Sequence, residues 1–137
     1  MKKFIWLMIL TLPYFGVSQN SLSIELLGVK SSMGNINVAV YNGSKGFLKF
    51  EDVFKVERIA ATEVATHFKI SNLPSGEYAV AIFHDENAND KLDTNWLGMP
   101  KESIAFSNAK IKAFGPPSYK ECAFDLNRDL DIKMEFN

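Results

Sequence analysis

The chain has 137 residues, 47% of them apolar, with 15 Lys or Arg against 16 Asp or Glu and a formal net charge of −1. That is one domain's length with enough apolar side chains for a core, and it is too apolar for a disordered polymer. A near-neutral chain without a basic cluster does not suit a nucleic-acid backbone, so no nucleic-acid partner is expected.

Lys2 and Lys3 open the chain, and Phe4 to Phe15 follow as an apolar run interrupted by Pro13. Gly16 and Ser18 put small residues where a signal peptidase reads. This arrangement predicts a signal peptide over residues 1–18. The apolar run falls short of the ~20 residues that a spanning helix needs, so no stable membrane span is expected after cleavage. Residues 19–137 are expected to form one domain exported to the periplasm or beyond the cell. Cys122 is the one cysteine, so the fold must stand without an internal disulfide.

Apolar residues then recur at every second position. Leu22, Ile24 and Leu26 alternate with Ser21, Ser23 and Glu25, and Ile36, Val38 and Val40 with Asn35, Asn37 and Ala39. A weaker strand is expected at Lys55 to Ala61, after an ambiguous stretch from Phe47 to Phe54. Val64, Thr66, Phe68 and Ile70 alternate with Ala65, His67 and Lys69. Each such pattern predicts a strand with one face on a core and the other in water. Leu73-Pro74-Ser75-Gly76 predicts a tight turn, with Pro and Gly supplying its backbone angles. Glu77 to Phe83 is apolar on both faces and predicts a central, covered strand. Tyr119 to Leu126 predicts another strand that buries Cys122 in step with Phe124 and Leu126. Asn127-Arg128-Asp129 is expected to turn a last hairpin, whose second strand carries Leu130, Ile132, Met134 and Phe136. The fold class that follows is all-β: an antiparallel β-sandwich of about seven strands, transthyretin-like or immunoglobulin-like, with one long loop.

That loop runs from His84 to Lys112, longer than most connections in compact domains. Trp96, Leu97, Met99, Ile104 and Phe106 within it predict that it packs down onto the domain. Its start places oxygen-bearing side chains at alternate positions: Asp85, Asn87, Asn89 and Asp93. In a calcium loop these are positions one, three, five and nine, with Asp90 replacing the turning Gly and the Lys91 carbonyl at position seven. Trp96 stands where the bidentate Glu belongs, so this is no helical calcium hand. Glu86, Glu102 or water would have to complete the shell. The same spacing also suits a metal-free turn in which Asp and Asn side chains bond their own backbone.

Several segments together resemble a bacterial exported family, domain of unknown function 2141. They are Gly34 to Tyr41, Leu73 to Val80, His84-Asp85-Glu86-Asn87 with Asn89, Leu92 to Asn95, Leu97 to Glu102 and Phe106-Ser107-Asn108. The resemblance implies an exported domain with a transthyretin-like or prealbumin-like sandwich, and it implies no activity. The family commonly has Gly where this chain has Asp90. A residue with a Cβ meets a steric cost in the positive-φ region that Gly enters freely, though Asp tolerates it better than most.

Two further chemistries need weighing. His84, beside Asp85 and Glu86, could serve a small hydrolase as a general base, but no flanked Ser nucleophile or second nearby His completes that site. Its simpler role is a hydrogen bond that pins the loop to the strand end. Trp96 with Asn95 and Asp93 could form a sugar platform, but Leu97-Gly98-Met99-Pro100 predicts that Trp96 packs into the core. Asp125, Asn127, Asp129 and Asp131 repeat the alternating pattern inside an expected hairpin, which makes them wet-face and turn residues. The combined expectation is a non-enzymatic binding or accessory module of the cell envelope, with calcium as the one candidate cofactor. Its partner would be an envelope protein or a glycan, and pairing into dimers through edge strands is compatible with such a fold.

Overall fold

The computed structural model describes residues 16–137. Lys2, Lys3 and the apolar run behind the signal-peptide expectation lie outside these residues. Eight strands form two sheets: β1 (Gln19–Val29), β2 (Asn35–Tyr41), β3 (Lys55–Ala60), β4 (Val64–Pro74), β5 (Gly76–Asp85), β6 (Ile104–Phe106), β7 (Phe124–Leu126) and β8 (Leu130–Glu135). One sheet has the order β4-β1-β8 and the other β3-β2-β5-β6, with β7 paired to the start of β5. The fold is the expected all-β sandwich, with one strand more than expected and one parallel pair. Strands β1 and β8 run parallel, from Leu22 opposite Leu130 to Leu27 opposite Glu135.

The alternating patterns fold as their periodicity dictates. Leu22, Ile24 and Leu26 from β1 face Ile36, Val38 and Val40 from β2 in one cluster that also holds Ile70, Leu73, Val80, Ile82, Leu126 and Met134. Burying each large aliphatic side chain fully contributes about 1.5–3 kcal/mol. Val64 is the exception: it starts β4 with φ 74° and lies 73% exposed, so the buried face of that strand begins at Thr66. The tight turn before β5 also differs. Gly76 takes no positive φ, and the nearby left-handed residue is Asn72, with φ 62°, inside β4 where its register against β1 shifts.

Strand β5 is covered on both sides, as its sequence predicts. Tyr78, Val80 and Ile82 point into the sandwich. Ala79 lies beneath a second cluster with Tyr41, Ile104, Phe106, Tyr119 and Cys122, against which Phe47 and Val53 pack. Phe47 to Phe54 supplies this cover as turns and a short 3-10 helix at Phe50–Asp52. Residues 19–137 hold all eight strands and both clusters.

Two expectations about the C-terminal part are corrected. Tyr119–Cys122 is a short helix, α1, rather than the start of a strand. Ser118 and Glu121 form the local signal: the Ser118 backbone N–H and hydroxyl both donate to Glu121 Oε2 at 2.8 Å, reciprocal capping that a strand cannot offer. Nor does 127–129 turn a hairpin. Strand β7 pairs with β5 and β8 with β1, so this segment carries the chain between sheets. Asp129 anchors the crossing by accepting the Ser21 backbone N–H at 2.7 Å. Leu126 and Met134 reach the same core from strands in different layers.

Cys122 is fully buried, as expected, and burial pushes its thiol from 9.0 up to about 11. Because the folded value lies above the unfolded one, this group's stabilisation is complete below pH 9 and is lost as pH rises towards 11. The expected outcome is a native thiol that resists disulfide-exchange reagents at neutral pH and reacts in urea. Rapid native labelling would contradict the packing of the second cluster.

Candidate functional site

The last two residues of β5 diverge because successive side chains of a strand point to opposite faces. His84 turns into the sandwich and is fully buried, its ring stacked on Phe136 with centroids 6.1 Å apart. Its Nε2 lies 2.8 Å from the Met33 carbonyl oxygen. A carbonyl only accepts, so Nε2 carries the proton and donates. Nδ1 has no hydrogen-bond partner and lies 3.6 Å from a Glu86 carboxylate oxygen. His84 therefore joins the β1–β2 connection to the end of β5, and its enclosed ring offers no face to an incoming substrate.

Asp85 turns the other way and is also fully buried. Its Oδ1 accepts the Asn89 backbone N–H at 3.0 Å, and its Oδ2 accepts the Asp90 N–H at 2.8 Å and the Asn37 amide at 3.2 Å. Asn37, expected on a wet face, is thus enclosed as a partner of this carboxylate. Gly34 allows the close approach behind it. A Cβ there would lie 1.9 Å from the Asp85 carbonyl oxygen, and the residue's φ is +67°. Arg58 pairs with Asp90 across the loop. None of these three neighbours was singled out from sequence. The alternating pattern of β2 could not show that its outer face is covered at this end.

The remaining loop residues converge on one another. The Asn87 and Asn89 amides donate to the two oxygens of Asp93 at 2.7 and 3.0 Å. The Asn89 N–H also lies 3.2 Å from Asn87 Oδ1, and the Lys91 N–H donates to Asn89 Oδ1 at 2.9 Å. Glu102 accepts the Asp93 N–H at 3.0 Å. Ala88 and Asp90 take positive φ, 54° and 63°, so Asp90 does adopt the left-handed turn expected where the family commonly has Gly. The predicted ligand set Asp85, Asn87, Asn89, Lys91 and Asp93 is therefore one connected unit, stitched by its own hydrogen bonds. Among the described residues, no three His, Cys, Asp or Glu side chains stand close enough to hold a metal ion. A cation here would rest on two carboxylates, amide oxygens and a carbonyl.

Beyond Asp93 the loop forms a small hairpin. The Lys101 N–H donates to the Asp93 carbonyl at 2.8 Å, Thr94 pairs with Pro100, and the Asn95 N–H donates to the Met99 carbonyl at 2.8 Å. Asn95 Oδ1 accepts the N–H groups of Leu97 and Met99 at 2.9 and 3.0 Å, and Gly98 turns with φ +78°. The expectation that this stretch packs into the core is overturned: Trp96 is 90% exposed, Leu97 61% and Met99 56%. The hydrogen bonds of the turn satisfy its backbone, so the apolar side chains need not fold inward. Of the five apolar residues expected to pack down, Ile104 and Phe106 alone do so, as part of strand β6. Asn95 three residues before Gly98 was the sequence signal for the turn.

The chain matches, over residues 24–133, the model of a family described as an uncharacterized protein conserved in bacteria, DUF2141. No curated protein and no solved structure matches it.

Asp85→Ala removes the acceptor of two loop N–H groups and the Asn37 amide, and is expected to cost about 2–4 kcal/mol in urea unfolding. Gly34→Ala should destabilise as well, because its Cβ meets backbone. A change within about 0.5 kcal/mol for Asp85→Ala would mean that the carboxylate does not organise the loop.

Proposed function

The chain belongs to this uncharacterized bacterial family, and we propose that it is an exported binding or accessory module of the cell envelope whose contact element is the hairpin Asp93–Lys101. The exposure of Trp96 on a turn fixed by its own hydrogen bonds carries this reading. An exposed tryptophan forgoes roughly 4–6 kcal/mol of burial, taking ~25 cal/mol per Å² over its ~150–250 Å². A rigid turn that holds such a side chain in water keeps that free energy for a partner, and preorganisation lowers the entropy lost on binding. The neighbours of Trp96 favour an apolar contact over a sugar. Leu97 and Met99 flank it, while Asn95 Oδ1 already accepts two backbone N–H groups. Burial of His84 supports a structural role for that residue rather than hydrolysis.

Calcium is the ion we propose for the loop that carries the hairpin. Two observations favour it: Asn87, Asn89 and Asp93 converge, and Asp90 takes the positive φ that the sixth position of a calcium loop requires. To present oxygens to the ion the two amides turn over, exchanging the Asn89 and Lys91 N–H groups that their oxygens accept for the cation. Two carboxylates make a weak site, in the ~10⁻⁴–10⁻³ M range of extracellular modules.

Two outcomes are expected. Trp96→Ser with Leu97→Ser should lower sedimentation of the protein with isolated envelopes at least tenfold, with an unchanged melting temperature. Retained binding would move the contact element elsewhere. Calcium at a hundredfold excess over its Kd should add about 2.7 kcal/mol of stability relative to EDTA, an increment abolished by Asp93→Asn. Equal melting in EDTA and calcium would leave the loop as a metal-free Asx turn.

A further inference from the structure

Building on that reading of the hairpin, we infer that its partner is a lipid bilayer surface carrying anionic headgroups. Three observations favour this occupant. The first is shape. Trp96, Leu97 and Met99 follow one another around a single tight turn and are all open to solvent, with Leu92 also exposed at its base. A stable protein interface needs about 800 Å² and 20–30 residues on each side. The turn from Asn95 to Met99 presents far less, and a convex knob is not complementary to a second copy of itself. A fluid interface accepts such a knob without a matching cavity.

The second observation is residue type. Tryptophan concentrates at the headgroup level of membranes, where its ring is apolar and its N–H is wet. Leucine and methionine beside it extend the apolar end of the turn.

The third is charge. Between residues 91 and 101 the ionisable side chains are Lys91, Asp93 and Lys101. Asp93 is engaged by the Asn87 and Asn89 amides. Lys91 and Lys101 form no ion pair among the described residues. The other acidic groups of the loop are Asp85, buried on backbone amides, Glu86, 3.6 Å from His84 Nδ1 at the end of β5, Asp90, paired with Arg58, and Glu102, which accepts the Asp93 N–H. Two free lysines thus flank the base of the apolar tip, where flexible stems let their ammonium groups reach lipid phosphates while the tip inserts.

Residues 19–137 contain Trp96 as their one tryptophan, because the other is Trp6. Trp96 emission therefore reports insertion directly. The test mixes this segment with vesicles of phosphatidylcholine alone and of phosphatidylcholine with phosphatidylglycerol, and follows emission and vesicle flotation. The expected result is binding and a blue shift with the anionic vesicles. Lys91→Gln or Lys101→Gln should each weaken binding about fivefold, added salt should weaken it further, and Leu97→Ser with Met99→Ser should abolish it without altering the melting temperature. Equal binding to both vesicle types would overturn the charge basis. No vesicle binding, with tip-dependent envelope binding retained, would assign the tip to an envelope protein or glycan and leave the broader reading standing. Tip-dependent self-association in the ultracentrifuge would assign it to a second copy. Absence of tip-dependent binding to vesicles and envelopes alike would end both readings.

Discussion

Strand β5 has to be covered on both faces, and the rest of the molecule is arranged around that constraint. Tyr78, Val80 and Ile82 need the three-stranded sheet below them, while Ala79 needs the cover provided by Tyr41, Phe106, Tyr119 and Cys122. A two-layer sandwich would satisfy only the first requirement. The chain meets the second with segments that are not strands: the turns and 3-10 helix of 44–54, and the capped helix α1. Ser107 ties this outer cover to the sheet. Its hydroxyl accepts the Val80 N–H at 2.9 Å and donates to the Cys122 carbonyl at 2.7 Å.

The same strand sets up the loop. Where the apolar run ends, His84 and Asp85 continue its alternation with polar groups, one to each face, and both are fully enclosed. A buried charge is tolerable only when hydrogen-bonded, and the donors available to Asp85 are the backbone amides of the next turn. Meeting that electrostatic requirement folds 86–90 back on the strand end. Asn87 and Asn89 are thereby brought to Asp93, and the hairpin beyond Asp93 projects from a fixed base. Local hydrogen bonding thus does for this loop what apolar packing does for the domain. It leaves the apolar side chains of the tip in water.

Much of this was legible from residues alone. The period-two runs located β1, β2, β4 and β8 because burial on one face of a strand imposes that period whatever the neighbours are, and a run apolar on both faces located β5. The alternating Asp and Asn residues marked a loop organised by short polar side chains, and Asp90 marked its left-handed turn. Trp96 was misread because a tryptophan followed by Leu97 and Met99 has the composition of a core segment. Composition does not report whether the backbone beneath is already satisfied. Asn37, Gly34 and Arg58 were missed because each matters only through a residue about 30–50 positions away in the chain, brought near by strand pairing.

What the sequence determined by itself was the fold class, the identity of the central strand, the burial of Cys122 and the polar chemistry of the loop, all of which follow from short-range periodicity and side-chain type. The tertiary structure alone decided that β1 and β8 run parallel, that the chain crosses between sheets at 127–129, that Asp85 is enclosed by Asn37 and that Trp96 stands in water. These depend on which distant segments share a face, and alternation along one strand carries no information about the layer that covers it.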